Sequence, residues 1–239
     1  MKKAFNRSDF SEGFLDGLPI GLGYLSVSFA FGIFALGEGL TVVEALLISM
    51  LNVTSAGQLA AVPIIATLGS YVELILTQLV INLRYSLMST SLSQRLDKSV
   101  STFDRFVVSF MNTDEVFAVS MSKGRPLSPA YLYGLIILPY LGWTLGTLLG
   151  AVAGNILPAL LISALGIAIY GMFIAIVVPE TRQNKFTLLA VLLAVALSLL
   201  FYYLPYLNLI PRGFVIIIVA AISAAVFAFV APIKEEEND

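Results

Sequence analysis

Three charged residues, Arg84, Asp114 and Glu115, lie within stretches of sequence that are otherwise largely apolar. A charge at the centre of a bilayer costs at least about 2.5–3.5 kcal/mol, so each of the three needs a partner or water. Asp114 and Glu115 are adjacent and repel each other unless Arg84 neutralises one of them. Carboxylates in such a place can exchange protons, and we predict that Asp114 or Glu115 couples a proton to function. The alternatives are a permanent ion pair with Arg84 and a solvated pair on a surface helix.

The residue types that are missing narrow the chemistry further. The chain of 239 residues contains neither Cys nor His. Disulfides and thiolate metal sites are therefore excluded, and proton transfer must use carboxylates, Tyr or water. The sequence also lacks HExxH and GxSxG motifs, so we expect no enzyme activity, no metal and no cofactor. The net charge of −2, without a basic stripe, argues against nucleic-acid binding.

A run of small and polar residues interrupts the second long apolar stretch, Asn52-Val53-Thr54-Ser55-Ala56-Gly57-Gln58. Gly lowers helix propensity, while Asn, Ser and Thr offer the backbone competing hydrogen bonds. A helix break at this depth is tolerated where the exposed backbone lines a cavity or meets a ligand. We therefore predict that a half-helix N-terminus binds a substrate carboxylate here, in a site formed by Asn52, Thr54, Ser55, Gly57 and Gln58. The alternative is close helix packing through small residues.

The third apolar stretch carries polar residues on two helical faces. At about 100° per residue, one face holds Gln78, Asn82, Tyr85, Ser89 and Ser93, and the other holds Thr77, Arg84 and Ser91. A helix with two polar faces belongs in the interior of a bundle, so we add Asn82, Arg84 and Tyr85 to the predicted substrate site. The alternative is a structural helix whose hydroxyl groups bond to neighbouring helices.

Membrane helices are the elements that must position these residues. Hydrophobic residues make up 59% of the chain and charged residues 12%, which excludes an ordinary soluble domain. Seven segments are long and apolar enough to span a bilayer, namely residues 18–36, 43–67, 73–93, 128–151, 158–179, 186–204 and 213–231. An eighth segment, residues 103–121, is apolar at both ends and acidic in the middle. We predict an all-α polytopic membrane bundle of seven to eight spans, eight being preferred, in a single transmembrane domain over residues 1–239 with broken helices.

An internal match bears on how this bundle is organised. Residues 45–49 and 159–163 share the sequence ALLIS at an offset of 114 residues, and this offset places segment 103–121 over the last predicted span. The match favours a duplication with halves 1–117 and 118–239 in the same orientation. A three-plus-three inverted repeat is the alternative.

Basic residues indicate the orientation, because Lys and Arg accumulate on the cytoplasmic side of a membrane. Eight spans with a cytoplasmic N-terminus place eight basic residues inside and four outside. Seven spans with an external N-terminus give the same ratio, so the rule alone leaves the span count open. We prefer the cytoplasmic N-terminus, and both arrangements place the C-terminus in the cytoplasm of a multi-pass protein of the cell (inner) membrane.

The polar segments resemble the AzlC-type (azaleucine-resistance) permease family, most strongly over residues 13–118. The motifs that carry the resemblance are Gly13-Phe14 to Leu18-Pro19, Gly23-Tyr24 to Phe31-Gly32, Glu44-Ala45-Leu46-Leu47, Ala56-Gly57-Gln58, Asn82-Leu83-Arg84 and Thr113-Asp114-Glu115-Val116-Phe117-Ala118. Departures from the family pattern are Ser26 and Ser28, in place of Pro and Gly, and Tyr85, where His often follows the Arg.

This resemblance implies the large subunit of a bacterial exporter of branched-chain amino acids, Leu, Ile and Val, driven by proton exchange. It also implies a partner, a small AzlD-type membrane subunit of about four helices. The alternatives are a permease for another small metabolite on the same scaffold and a structural membrane subunit without transport of its own.

Overall fold

A computed structural model describes residues 6–154, 156–158, 160, 171, 174, 177–179 and 181–231. The regular elements in these ranges are helices, which confirms the predicted all-α class. They are α1 (Arg7–Gly37), α2 (Val42–Leu51), α3 (Ser55–Ala66), α4 (Tyr71–Ser93), α5 (Thr102–Phe110), α6 (Asp114–Ser122), α7 (Pro129–Gly154), α8 (Lys185–Tyr203), a 3-10 turn (Leu207–Leu209) and α9 (Arg212–Val230). The chain forms two compact units, Met1–Val62 with Ile81–Ile169, and Pro63–Val80 with Tyr170–Asp239.

Four helices in the described part of the chain, α1, α7, α8 and α9, are long and apolar enough to cross a membrane. They correspond to the predicted spans 18–36, 128–151, 186–204 and 213–231. The predicted span 73–93 is α4, which is continuous over 23 residues but carries many polar groups. The predicted span 158–179 lies mostly outside the described residues, as does the second half of the predicted repeat match at 159–163.

Two predicted spans are each divided into a pair of short helices. Segment 43–67 forms α2 and α3, and the chain leaves the helix over residues 52–54, which confirms the predicted break. Segment 103–121 forms α5 and α6, with a second break at residues 111–113 that hydropathy does not predict. The reason lies in the local sequence, because Thr113 accepts a hydrogen bond from the Val116 N–H and starts a new helix.

The two broken segments share a layout at an offset of 60 residues. Thr41 and Ser101 each form a capping box, with Glu44 and Asp104 respectively, at the start of the first half-helix. Asn52 ends α2, and its counterpart at the same offset, Asn112, lies in the break after α5. This correspondence is separate from the predicted offset of 114, and periodicity of apolar residues gave no sign of it.

Helices α1 and α7 pack closely along most of their length through glycines. Gly142 lies directly against the backbone of Gly21, and Gly150 against the backbone of Phe29. Contacting residue numbers rise together along both helices, so α1 and α7 run parallel. Such approach of two backbones is possible because Gly has no side chain at the contact.

We expect Gly21→Val to destabilise the protein, because a Cβ at this position would lie 2.8 Å from the Leu138 carbonyl oxygen. The cost should be about 1–3 kcal/mol, the usual penalty for overpacking, visible as a lower unfolding temperature in detergent. Gly23→Val is the matched control on the same helix, since a Cβ there meets nothing within 4 Å. Equal unfolding temperatures for the two variants would contradict the close packing of α1 on α7.

A cluster of ion pairs joins the start of α1 to the connection between α6 and α7. Lys123 lies 2.6 Å from Asp16 and 2.9 Å from Glu12, and Arg125 lies 2.7 Å from Glu12 and 3.8 Å from Asp9. Hydrogen bonds to Asp16 and Glu12 raise the pKa of Lys123 above its usual range. Hydrogen bonds to Lys123 and Arg125 lower the pKa of Glu12. The stability that this pairing contributes is therefore present at neutral pH, and it is lost as the pH rises through the raised pKa of Lys123 or falls through the lowered pKa of Glu12.

Glu73 is a buried carboxylate among the described residues of the second unit. Glu73, in the first turn of α4, is 4% exposed and accepts a hydrogen bond of 2.8 Å from the backbone N–H of Gly213 in the first turn of α9. A Cβ on Gly213 would lie 2.6 Å from both the Glu73 Cγ and the Thr77 hydroxyl. Glu73 thus satisfies an amide at the N-terminal end of α9, where negative charge is stabilised.

Candidate functional site

The two helix breaks meet at a cavity in the first unit. Its volume is about 180 Å³, enough for several water molecules or one small solute. The α2–α3 break, α4 and the α5–α6 break all contribute to its wall. The lining residues are Leu51, Asn52, Val53, Thr54, Asn82, Tyr85, Ser109, Phe110 and Asn112.

Thr54 organises the α3 side of the cavity. Its hydroxyl oxygen accepts a hydrogen bond from the Gly57 N–H and its hydroxyl donates to Asn82 Oδ1 at 3.0 Å. The first turn of α3 is Ser55, Ala56 and Gly57, so no side chain of that turn supplies a negative charge. The start of a helix has unpaired backbone N–H groups and a partial positive charge, both of which favour an anion.

Asn112 forms the opposite wall, in the α5–α6 break. Its side chain is 3% exposed, and Nδ2 donates a hydrogen bond of 3.1 Å to the Ser89 hydroxyl on α4. Within the described part of the chain, Oδ1 of Asn112 is buried and has no hydrogen-bond partner. A buried acceptor without a partner costs about 1–3 kcal/mol, so a donor that reached this oxygen would be stabilised.

Arg84 and Asp114 form an ion pair beside this cavity. A guanidinium nitrogen lies 2.8 Å from a carboxylate oxygen of Asp114, at the start of α6. The same guanidinium group donates to the Tyr85 hydroxyl at 3.4 Å and lies 5.0 Å from the centre of that ring. Both charged side chains are about half exposed, at 52% for Arg84 and 47% for Asp114. This contact is the ion pair with Arg84 that the sequence left open as an alternative.

Glu115 has a different partner from its neighbour Asp114. The hydroxyl of Tyr24 on α1 donates a hydrogen bond of 2.5 Å to Glu115 Oε2. Tyr24 is 6% exposed, and its ring meets that of Trp143 on α7 edge to face, with the ring centres 5.0 Å apart. The first turn of α6 therefore carries two carboxylates, one paired with a cation and the other with a phenol.

The predicted substrate residues divide into two groups in the structure. Asn52, Thr54, Asn82 and Tyr85 line the cavity. Arg84 lies beside it in the ion pair with Asp114, whereas Ser55 and Gly57 belong to the first turn of α3 behind the wall.

Gln58 takes part in a buried hydrogen-bond network. Its side-chain oxygen accepts from the Ser49 hydroxyl at 2.9 Å, and the hydroxyls of Ser49 and Thr147 are 2.6 Å apart. This network joins α2, α3 and α7, and all three residues are at most 1% exposed. Its position matches the alternative that the sequence left open, in which polar groups hold helices together.

Sequence reasoning missed several residues of the site. Ser109, Phe110 and Asn112 line the cavity from the second break, and Tyr24 bonds to Glu115. A usable signal was present in Thr113-Asp114-Glu115, because a Thr followed by acidic residues is typical of a helix N-terminus. Such a signal in the middle of an apolar segment predicts a break. No comparable local signal links Tyr24 to Glu115, which is 91 residues away along the chain.

The carboxylates of this site do not converge as metal ligands usually do. In the described ranges, no group of three or more His, Cys, Asp or Glu side chains is placed to hold a metal ion. Asp114 and Glu115 instead point to separate partners on α4 and α1.

Comparison with known proteins identifies the family. Residues 19–157 match the family model described as AzlC protein. An uncharacterized membrane protein of Archaeoglobus fulgidus is 32% identical over 72% of this chain and 76% of its own length. The inner membrane protein YgaZ of Escherichia coli is 28% identical over 74% of this chain and 75% of its own length. No solved structure matches. The resemblance seen in the polar motifs is thereby confirmed, and the chain belongs to the AzlC family of membrane transport proteins.

Proposed function

We propose that this protein is a secondary transporter subunit that exports the branched-chain amino acids Leu, Ile and Val in exchange for protons. The observation that carries the proposal is the cavity between two helix breaks. Broken helices place backbone amides and carbonyl groups inside a membrane, which is tolerated where they line a cavity or bind a ligand. Transporters commonly bind substrates at such discontinuous helices near the midplane.

The residues that line the cavity are suited to bind a small zwitterion with an aliphatic side chain. The N-terminal end of α3, capped by Thr54, suits a carboxylate, and the unpaired Oδ1 of Asn112 suits an ammonium group. Leu51, Val53 and Phe110 supply an apolar surface between these polar ends. A neutral branched amino acid carries all three features in one small molecule.

The parallel packing of α1 and α7 supports eight spans. Two neighbouring parallel helices that both cross a membrane require an odd number of crossings between them. Three segments lie between them, residues 42–66, 71–93 and 102–122, and the number of crossings is three only when the broken segment α5–α6 also crosses the membrane. The ion pairs of Lys123 and Arg125 with the start of α1 also support this crossing, because they place both basic residues on the same side of the membrane as the N-terminus. By the distribution of Lys and Arg this side is cytoplasmic, and the C-terminus lies there too.

The exposure of the Arg84–Asp114 ion pair supports the presence of a partner subunit. Arg84 and Asp114 are half exposed at a position that the sequence places within the membrane, where contact of charge with lipid is unfavourable. We propose that the small AzlD-type subunit of about four helices, expected from the family resemblance, covers this region in the inner membrane. The complex would then shield the pair from lipid while leaving the cavity accessible.

Leucine counterflow in proteoliposomes tests the proposal. The protein, purified with its partner, should accumulate labelled leucine in vesicles preloaded with unlabelled leucine. Ser109→Trp should reduce this signal to background, because Ser109 lines the cavity and Trp would fill it. Ser26→Trp is the control, since Ser26 is exposed on α1. Counterflow of other small metabolites without leucine would reassign the substrate, and counterflow that survives Ser109→Trp would exclude this cavity as the route.

A further inference from the structure

We infer that Glu115, and not Asp114, is the group that takes up and releases the proton, and that Tyr24 is its positioning residue. The inference rests on the proposed function and assigns the coupling step within it. It follows from the different partners of the two adjacent carboxylates at the start of α6. Both carboxylates follow the N-cap residue Thr113, at the first two positions of α6.

The carboxylate of Asp114 is paired with a cation. Its carboxylate lies 2.8 Å from the Arg84 guanidinium, a group that stays protonated in proteins. Protonation of Asp114 would leave Arg84 as a cation without this counter-charge in a region predicted to lie within the membrane. A repeated cycle of protonation at Asp114 would break this ion pair in every turnover.

Glu115 can change its protonation state and keep its partner. A phenol hydroxyl is both a donor and an acceptor. In the structure the Tyr24 hydroxyl donates to Glu115 Oε2 at 2.5 Å, as it would to an ionised carboxylate. When Glu115 is protonated, its own O–H can donate to the Tyr24 oxygen after the hydroxyl rotates. One hydrogen bond therefore persists in both states, and only the direction of donation changes.

The other charged groups near Glu115 are accounted for by their own contacts. Asp114 precedes it on α6 and is paired with Arg84 of α4. Arg84 in turn donates to the Tyr85 hydroxyl, also on α4. On α1 the neighbour is Tyr24 itself, which is buried against Trp143 of α7. Among the described residues, Glu115 thus contacts a phenol and no cation.

The fluorescence of Trp143 can test this assignment without a transport assay. It is the only Trp in the chain, and its ring lies edge to face on Tyr24, 5.0 Å between ring centres. Reversal of the hydrogen bond between Tyr24 and Glu115 alters the environment of the Tyr ring and hence the emission of Trp143. A titration of Trp143 fluorescence in lipid nanodiscs therefore reports protonation at Glu115.

The test compares three variants in the same titration of the purified complex. The wild-type protein should show a reversible transition in Trp143 emission, and Glu115→Gln should abolish it. Tyr24→Phe should abolish it too, because the ring stays on Trp143 but the hydroxyl that reaches the carboxylate is gone. Asp114→Asn, the isosteric change at the adjacent position, removes the counter-charge of Arg84 and lowers stability, but the folded protein should retain the transition. In vesicles, Glu115→Gln should lose leucine transport driven by a pH gradient.

The possible results separate this inference from the proposed function. A wild-type protein without a transition, or a transition that survives Glu115→Gln, would overturn the assignment of Glu115. A transition lost in Asp114→Asn but kept in Glu115→Gln would transfer the role to Asp114. Survival of the transition in Tyr24→Phe would remove Tyr24 from the mechanism. If leucine counterflow is absent while the titration behaves as expected, the substrate proposal fails and the proton site stands.

Discussion

Replacement of Arg84 by Leu should abolish transport. The substitution leaves Asp114 without its cation, although the two groups are 2.8 Å apart in the structure and adjoin the cavity. An uncompensated charge within the membrane costs at least about 2.5–3.5 kcal/mol, which corresponds to roughly a hundredfold loss of the competent state. The measurement is leucine counterflow at equal amounts of reconstituted protein.

A charge-swapped variant tests whether transport needs the ion pair itself or a particular charge at each of the two positions. Arg84→Asp combined with Asp114→Arg should recover part of the transport that Arg84→Leu loses, because the pair is restored in reverse. The double variant Arg84→Leu with Asp114→Leu removes both charges together and should remain inactive if the charges serve transport. Full activity of this double variant would support the alternative of a structural subunit, in which the pair only stabilises helix packing.

Asn112→Leu should weaken leucine binding by about ten- to a hundredfold. The substitution removes the buried Oδ1 that has no partner in the described part of the chain and that we assign to the substrate ammonium group. Loss of a hydrogen bond to a charged group costs about 1.5–3 kcal/mol, which gives a change of this size. Binding is measured as displacement of labelled leucine from the purified complex.

An analogue without the amino group provides the control for this experiment. The wild-type protein should bind 4-methylpentanoate more weakly than leucine, and Asn112→Leu should lower leucine affinity without a comparable effect on the analogue. Ser89→Ala, which removes only the partner of Asn112 Nδ2, should have a smaller effect on leucine. If Asn112→Leu weakens both ligands equally, Asn112 shapes the cavity but does not recognise the ammonium group.

The two helix breaks show how far local sequence predicts this fold. The run from Asn52 to Gln58 is rich in residues that compete with helical hydrogen bonds, and the structure has the predicted break there. The break before Asp114 was also encoded locally, by Thr113 as N-cap and the acidic first turn. Hydropathy did not reveal this break, because the average over about 20 residues is the same for a capped half-helix and for a polar patch within a continuous helix.

Residue roles within the site depended on contacts between distant segments. Gln58 and Asn82 have similar chemistry and lie on neighbouring segments of the chain. Gln58 is nevertheless fixed in the network with Ser49 and Thr147, whereas Asn82 lines the cavity and accepts a hydrogen bond from Thr54. Helical periodicity places a side chain on a face of its own helix but does not determine which neighbour that face meets.

The sequence alone determined the class of this protein and the few residues that need explanation. Composition required membrane helices, because so apolar a chain cannot form an ordinary soluble domain, and the cost of buried charge selected Arg84, Asp114 and Glu115. The tertiary structure decided their partners. Asp114 pairs with Arg84 and Glu115 with Tyr24, although the two carboxylates are neighbours. Adjacent residues at the start of a helix project in directions about 100° apart, so their partners are set by the helices packed around α6.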